Sequence, residues 1–279
     1  CLGTTLFVLI QMLLQTGRQD AWLIPLIVAA GGILFSFIWI ALYRMYDGQS
    51  LSVIPLLVLG RPVGTIVSLL QLLYYCMLCG WVLRNLSDFM IETIMEQTPE
   101  PVFHLMFLFT AFYAVAKGVE TVARLTQFIT PFMFFPFWIS LIITFGEWKW
   151  DRFQPVFATK IWTHLDEILP FLGFPFLEAM ALVLFFPYVR HGATRAFWLG
   201  IALAGVSISL IIVMTIGLLG VERGMRLTFP IYTIVQEVPM SEMFVSIHSL
   251  ISVVALILVF IKVLVVVFVI TEYVRHLFR

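Results

Sequence analysis

Two ionisable residues, Glu178 and Lys262, lie inside long apolar segments, where a charge is costly unless it is paired or hydrated. Glu178 comes about one helical turn after Gly173-Phe174-Pro175, and its carboxylate could receive an ammonium group or a proton. Lys262 has apolar neighbours for two turns on either side, so its amino group needs an anion, carbonyl oxygens or water. Alternatively, the two residues form one structural ion pair, which would also be a candidate for proton-sensitive gating.

A second pair of charges, Arg84 and Asp88, lies four residues apart in another apolar segment. This spacing puts both side chains on one helix face, which favours a local ion pair over a transport role. With Lys262, these two residues complete the candidate set of buried or gating charges.

Covalent chemistry is not indicated. Cys76 and Cys79 lie in an apolar helix without a matching His/Cys cluster, so we expect them to pack as small hydrophobic residues rather than to bind a metal. The sequence shows no nucleophile-base pair and no glycine-rich phosphate loop. A formal net charge of zero argues against nucleic acid as a partner. We therefore predict a protein that is not an enzyme and has no cofactor.

The composition is that of an all-α integral membrane protein. Of 279 residues, 62% are hydrophobic and 11% are charged, which leaves too little polar surface for a soluble globule. With a short opening fragment, the apolar segments predict eight membrane helices. The other seven are Ala21 to Tyr46, Val63 to Met95, Val102 to Ala116, Val122 to Phe145, Ile168 to Val189, Ala193 to Leu219, and Met243 to Val274. Residues 50–59 and 228–238 are predicted to form short surface helices.

The sixth of these helices is predicted to break at Leu172-Gly173-Phe174-Pro175-Phe176-Leu177-Glu178. At membrane depth, an interrupted helix survives only where protein or a water-filled cavity satisfies the released backbone groups. Such a break usually marks a binding site.

A second glycine, Gly3, suggests the architecture. Transporters with inverted repeats place broken helices at corresponding positions of their two halves. Gly3 in the first helix and Gly173 in the sixth fit that arrangement. We predict one transmembrane domain, residues 1–279, with a first repeat at 1–146 that lacks the start of its first helix. The second repeat, 160–279, is expected to be incomplete, so that about eight of ten helices are present.

Several short motifs, in order along the chain, resemble the endospore germination permeases. These are the B subunits of nutrient germination receptors, within the amino acid-polyamine-organocation superfamily. The most specific motif is the run 113–124, Tyr-Ala-Val-Ala-Lys-Gly-Val-Glu-Thr-Val-Ala-Arg. The others are Asp20-Ala21-Trp22, Leu42-Tyr43-Arg44, Thr98-Pro99, Pro155-Val156, Phe174-Pro175-Phe176-Leu177-Glu178, Phe229-Pro230 and Phe260-Ile261-Lys262.

The resemblance implies a LeuT-like bundle whose central cavity holds a small nutrient, an amino acid or a sugar. It also implies a complex with an A subunit and a lipoprotein C subunit in the inner spore membrane, which triggers germination. On that basis the ligand-binding residues would be Gly3, Thr4, Thr5, Tyr75, Cys79, Gly173, Phe174, Leu177 and Glu178.

The roles of these residues follow from their chemistry. Gly3 and Gly173 would permit unwinding and so leave backbone groups available for a ligand. Cys79 and Leu177 would set the volume of the pocket. Tyr75 could cap the ligand with its hydroxyl, or it could be an aromatic side chain packed among helices. The same pocket would also suit an autonomous proton-coupled amino acid transporter, which is the alternative function.

Overall fold

The computed structural model describes residues 2–93, 95, 97–144, 148–155, 157, 165–237 and 245–278. Within these ranges all regular secondary structure is helical, which confirms the predicted all-α class. The α-helices are α1 (Leu2–Gly17), α2 (Leu23–Met45), α3 (Ile54–Thr93), α4 (Glu100–Ala116), α5 (Val119–Thr144), α6 (Leu165–Phe171), α7 (Ala193–Leu219), α8 (Val221–Gly224), α9 (Pro230–Glu237) and α10 (Val245–Leu277). Between α6 and α7 the chain forms a π-helical turn, Leu172–Phe176, and a 3₁₀ helix, Leu177–Tyr188.

Five described helices are long and apolar enough to cross a membrane, which shows an integral membrane protein. They are Leu23–Met45, Ile54–Glu92, Asp166–Tyr188, Ala193–Leu219 and Val253–Leu277. A sixth span is possible if α4 and the first part of α5 count as one bent segment. Three predicted spans are absent from this set. α1 has 16 residues and α4 has 17, fewer than the roughly 20 that a bilayer requires, and α5 counts only together with α4.

The bend between α4 and α5 has a local cause. Pro99 is extended and Pro101 lies in the first turn of α4, a position that suits a residue without a backbone N–H. At the other end, Gly118 has φ +102°, a conformation that ends a helix and that other residues rarely adopt. The chain therefore leaves α4 sharply and enters α5 at an angle of 119°.

The two predicted surface helices differ in outcome. The surface helix predicted at residues 228–238 is confirmed within the described residues by α9, Pro230–Glu237, whereas its predicted end at 238 lies outside them. A separate surface helix at residues 50–59 is not observed. Instead, residues from Ile54 onward form the opening turns of α3, which bends at Gly60 with φ 75° and ψ 173°. Only a glycine adopts this backbone conformation readily, and Pro62 follows it in the helix.

The expected break at Gly3 is not observed. The backbone of α1 is helical from Leu2 to Gly17, with Gly3, Thr4 and Thr5 in its first turn. The first amides of a helix have no partner within the helix, so a glycine there does not force the chain to unwind. The predicted repeat limits at 146 and 160, and the predicted span limits at 145 and 243, lie outside the described residues. The division into inverted repeats remains a prediction.

The chain separates into two compact units, and several helices contribute to both. The first unit comprises the described residues within 1–33, 127–177 and 200–258. The second comprises those within 34–126, 178–199 and 259–279. The first unit holds α1 and the π turn, while the second holds all of α3, all of α4 and the last part of α10.

A loop between α5 and α6 fastens the end of α7 in the first unit. Arg152 donates hydrogen bonds through Nη1 to the carbonyls of Gly217, at 3.0 Å, and Leu218. These are among the last carbonyls of α7, which have no partner within the helix, and a cation is favourable at this end. The backbone N–H of Phe157 donates to Oδ1 of the fully buried Asp20 at 2.7 Å. The loop thus ties the α1-α2 junction and the end of α7 within one unit.

Candidate functional site

The predicted break of the sixth helix is confirmed at Leu172–Phe176. α6 ends at Phe171, and Phe174 is extended, with φ −123° and ψ 118°. Pro175 explains this locally, because it has no backbone N–H to donate and its ring disfavours the helical conformation for the residue before it. Single π turns inside helices are frequent at functional sites, so the break is the first candidate element of a site.

Two adjacent glycines of α2 allow the π turn to pack closely in the first unit. A Cβ atom on Gly31 would lie 3.1 Å from Cδ1 of Leu172, and one on Gly32 would lie 2.9 Å from Cβ of Phe176. Phe176 is buried at 2% exposure, so the far end of the turn is held firmly. Gly173 differs, because a Cβ atom there would meet no atom within 4 Å. The backbone at Gly173 therefore borders open space while its neighbours are packed.

Glu178 and Lys262 form an ion pair within the second unit. Nζ of Lys262 lies 2.8 Å from Oε1 and 2.9 Å from Oε2 of Glu178, and the side chains are only 9% and 8% exposed. Both carboxylate oxygens thus contact one ammonium group, a strong charge-assisted arrangement. Of the interpretations that the sequence left open, this geometry supports the structural ion pair. A ligand ammonium could reach Glu178 only in competition with Lys262.

Tyr75 and Cys79, one turn apart on α3, both face the interior of the second unit, at 2% and 5% exposure. The ring of Tyr75 lies 5.6 Å from that of Tyr273, whose hydroxyl donates to Oε1 of Gln71 at 3.1 Å. Tyr75 is thus packed among aromatic side chains, the second of its two interpretations.

Sequence reasoning missed Tyr273 and Gln71. The available signal was spacing, since Tyr273 follows Lys262 by eleven residues, three turns along the same face of α10.

The assignment of Arg84 and Asp88 as buried charges is wrong. Nε of Arg84 lies 3.0 Å from Oδ1 of Asp88, which confirms the predicted local ion pair, but the side chains are 63% and 40% exposed. They lie on the outward face of α3, opposite the buried Leu83 and Leu86. Glu100 of α4 also approaches Arg84, at 3.4 Å. The pair therefore belongs to an exposed charge network that joins α3 and α4.

Cys76 is exposed and Cys79 is buried, so the expectation that both pack inside the protein holds only for Cys79. Over the residues that the structure describes, no cluster of His, Cys, Asp or Glu could hold a metal ion. For Gly3, Thr4 and Thr5 the structure describes the backbone alone, in α1, which contacts α6 in the first unit. Their predicted role in ligand binding stays a prediction.

One protein-family model matches the chain over its entire length. The model for the family described as spore germination protein matches residues 1–279. The chain belongs to the spore germination protein family. This confirms the resemblance to germination permeases that the motifs indicated.

Three curated relatives of the spore germination protein family come from Bacillus subtilis (strain 168). Spore germination protein KB is 24% identical over 229 residues, which cover 80% of this chain and 61% of the relative. Spore germination protein B2 is 23% identical over 238 residues, 83% of this chain and 63% of the relative. Spore germination protein YndE is 23% identical over 217 residues, 77% of this chain and 60% of the relative. The matches thus span about three fifths of each relative, and no solved structure matches the chain.

Proposed function

We propose that this chain is the transmembrane subunit of a spore nutrient germination receptor, which binds a small germinant, an amino acid or a sugar, and triggers germination. The observation that carries this proposal is an interrupted membrane helix in a member of the spore germination protein family. At membrane depth such a break needs other partners for its released backbone groups, and transporters use the backbone of broken helices to bind substrates and ions.

The germinant would contact the π turn at Gly173 and Phe174. A free amino acid or sugar needs hydrogen-bond donors and acceptors, and backbone amides and carbonyls at a break supply both. The open space beside Gly173 leaves room for a ligand, while the buried Pro175 and Phe176 hold the turn in place. Leu177, the next residue, would limit the size of the ligand.

Glu178 has an indirect role in this proposal. Because Lys262 already neutralises its carboxylate, Glu178 would present a paired charge near the break rather than an open anion. The further contacts proposed at Gly3, Thr4, Thr5, Tyr75 and Cys79 extend the site within a LeuT-like bundle. The receptor would act in the inner spore membrane together with an A subunit and a lipoprotein C subunit.

The test uses spores that carry the variant Gly173→Val with the other receptor subunits unchanged. A side chain there would occupy the space proposed for the ligand without displacing protein atoms near its Cβ. We expect the nutrient concentration for half-maximal germination to rise about tenfold or more, which corresponds to a loss of about 1.4 kcal/mol in binding. Leu177→Phe should act in the same direction.

Gly200→Val is the matched control, because Gly200 also lies in an apolar helix and its Cβ would also meet no atom within 4 Å. It should express equally well and leave the nutrient response unchanged. Equal sensitivity of the Gly173→Val, Gly200→Val and unmodified spores would refute the placement of the ligand. Uptake measurements on the purified protein in liposomes test the receptor role itself. Saturable accumulation of nutrient driven by a pH gradient would contradict it and favour the transporter alternative.

A further inference from the structure

The loop between α5 and α6 carries aromatic side chains that the proposed function does not use. The rings of Trp148, Trp150 and Phe153 form one cluster. Their centroids lie 5.3 Å apart for the two tryptophans, 5.5 Å for Trp148 and Phe153, and 6.1 Å for Trp150 and Phe153. Trp150 is nevertheless 70% exposed, and Phe157 is 71% exposed. Two large aromatic side chains of the loop therefore lie outside the packed interior of the first unit.

Tertiary contacts hold the backbone of this loop in place. The N–H of Lys149 donates to the carbonyl of Gly217 at 3.2 Å. The indole of Trp148 packs against the same glycine, where an added Cβ atom would lie 2.7 Å from the ring. Phe157 has φ 57°, a left-handed conformation that bulky residues rarely adopt, and its N–H is bound by Asp20. The exposed rings thus project from a backbone that is fixed by other parts of the unit.

These contacts place the loop at one surface of the membrane. Gly217 lies in the last turn of α7, whose span ends at Leu219, and Asp20 precedes the span that begins at Leu23. The ends of membrane spans lie near the boundary between hydrocarbon and lipid headgroups, where tryptophan is enriched. A loop that contacts both ends lies at that boundary as well.

The residue types of the loop suit that boundary. Along residues 148–153, charged residues stand between aromatic ones, in the order Trp-Lys-Trp-Asp-Arg-Phe. A tryptophan ring can enter the acyl boundary while its N–H meets oxygen atoms of the headgroup region, and a lysine can extend its ammonium group toward phosphate. Lys149 is exposed and available for such a contact. In water alone, the exposed rings would forgo the free energy gained from leaving it.

We propose that the loop residues 148–155 and 157 bind the lipid headgroup region of the bilayer at the surface where α7 ends, with Trp150 and Phe157 inserted among the lipids. The occupant of this surface is phospholipid, because the loop continues the ends of two membrane spans. Bound in this way, the loop sets the depth of the α1-α2 junction and of the end of α7. The inference goes beyond the proposed function and holds whether or not the chain binds a nutrient.

The test measures depth in the bilayer. A spin label at Trp150→Cys or Phe157→Cys, in a variant whose native cysteines are replaced by alanine, is studied in liposomes of phosphatidylglycerol and phosphatidylethanolamine. Power saturation compares its collisions with oxygen, which concentrates in the bilayer, and with a water-soluble nickel chelate. We expect both labels at about 15 to 22 Å from the bilayer centre, since hydrocarbon is about 30 Å thick and the whole bilayer about 40–45 Å.

Two further label positions calibrate the measurement. Leu203→Cys lies on α7 within a span, is 59% exposed, and should be found in hydrocarbon. Glu120→Cys replaces a charged side chain that is 74% exposed, and it is the aqueous reference. Collision with the nickel chelate as frequent at Trp150 as at Glu120 would overturn the proposal, because the ring would then face water. Protection from both reagents would also overturn it, because protein rather than lipid would then cover the loop.

A second measurement decides the question without a label, in case a cysteine variant does not fold. The unmodified protein and Trp150→Phe are placed in liposomes that contain lipids brominated close to the headgroup, which quench tryptophan fluorescence on contact. Phenylalanine keeps an aromatic ring in the cluster but removes the indole. We expect the brominated lipids to quench a smaller part of the fluorescence in Trp150→Phe. Equal quenching of the two proteins would contradict the contact of Trp150 with lipid.

Discussion

Removal of one member of the buried pair is the sharpest test of how this protein is held together. Lys262→Met deletes the ammonium that lies 2.8 and 2.9 Å from the two carboxylate oxygens of Glu178. Methionine nearly preserves the volume of the side chain, so packing changes little. What remains is a carboxylate at 8% exposure that has lost this ammonium. The expected result is a large loss of stability with little change in shape.

The size of the loss follows from burial. Breaking a buried ion pair by removing one partner costs about 3–5 kcal/mol, mainly because the remaining charge is left uncompensated. A loss at the lower end shifts the unfolding equilibrium by about a hundredfold. Replacing both residues, as in Glu178→Leu/Lys262→Met, removes that cost, since buried pairs exchanged for apolar residues are often neutral in stability. The double variant should therefore be more stable than the single one.

The assay is reversible unfolding of purified protein in mixed micelles, with increasing mole fractions of sodium dodecyl sulfate and circular dichroism as the signal. Arg124→Met is the matched control, because Arg124 also pairs with a carboxylate, Glu120, but is 78% exposed and lies outside the five described spans. Exposed pairs contribute little, so no measurable change is expected there. A Lys262→Met loss no larger than that of Arg124→Met, or a double variant as unstable as the single one, would refute this reasoning.

Two further changes probe the packing around the break and in the second unit. Gly32→Ala places a Cβ atom 2.9 Å from Cβ of Phe176, so we expect a loss of about 1–3 kcal/mol and a lower melting temperature, whereas Gly200→Ala has open space and should lose nothing comparable. Equal melting temperatures for these two variants would contradict the close packing of the π turn. Tyr273→Phe removes the hydroxyl that donates to Gln71 and should lower stability by about 0.5–1.5 kcal/mol. Combination with Gln71→Leu should then be less than additive, and full additivity would show that the two side chains do not interact.

Features with local causes could be predicted from sequence. The break in the sixth helix depends on Pro175 and on Phe174 before it, so two adjacent residues were enough to predict it. The Arg84–Asp88 pair depends on a spacing of four residues in one helix. Family membership was also accessible from motifs, since their order along the chain needs no knowledge of the fold.

Features that depend on which way a helix face points, or on partners distant in sequence, were missed or left open. Spacing alone placed Arg84 and Asp88 on one face of α3, but it did not show that this face points outward. Gly3 is a glycine like Gly173, but no proline follows it, and α1 remains helical. The hydrogen bond from Tyr273 to Gln71 joins residues 202 positions apart, beyond any local pattern.

Composition and local motifs by themselves determined that this is a helical membrane protein of the germination family whose sixth helix is interrupted. Those conclusions rest on the average polarity of the chain and on backbone rules that act over a few residues. Only the tertiary structure decided that Glu178 is bound by Lys262, 84 positions away, and that Leu177–Tyr188 is 3₁₀ rather than α. A buried charge must be neutralised by whichever partner the fold brings to it, and a pairing of residues so far apart in sequence follows from no local pattern.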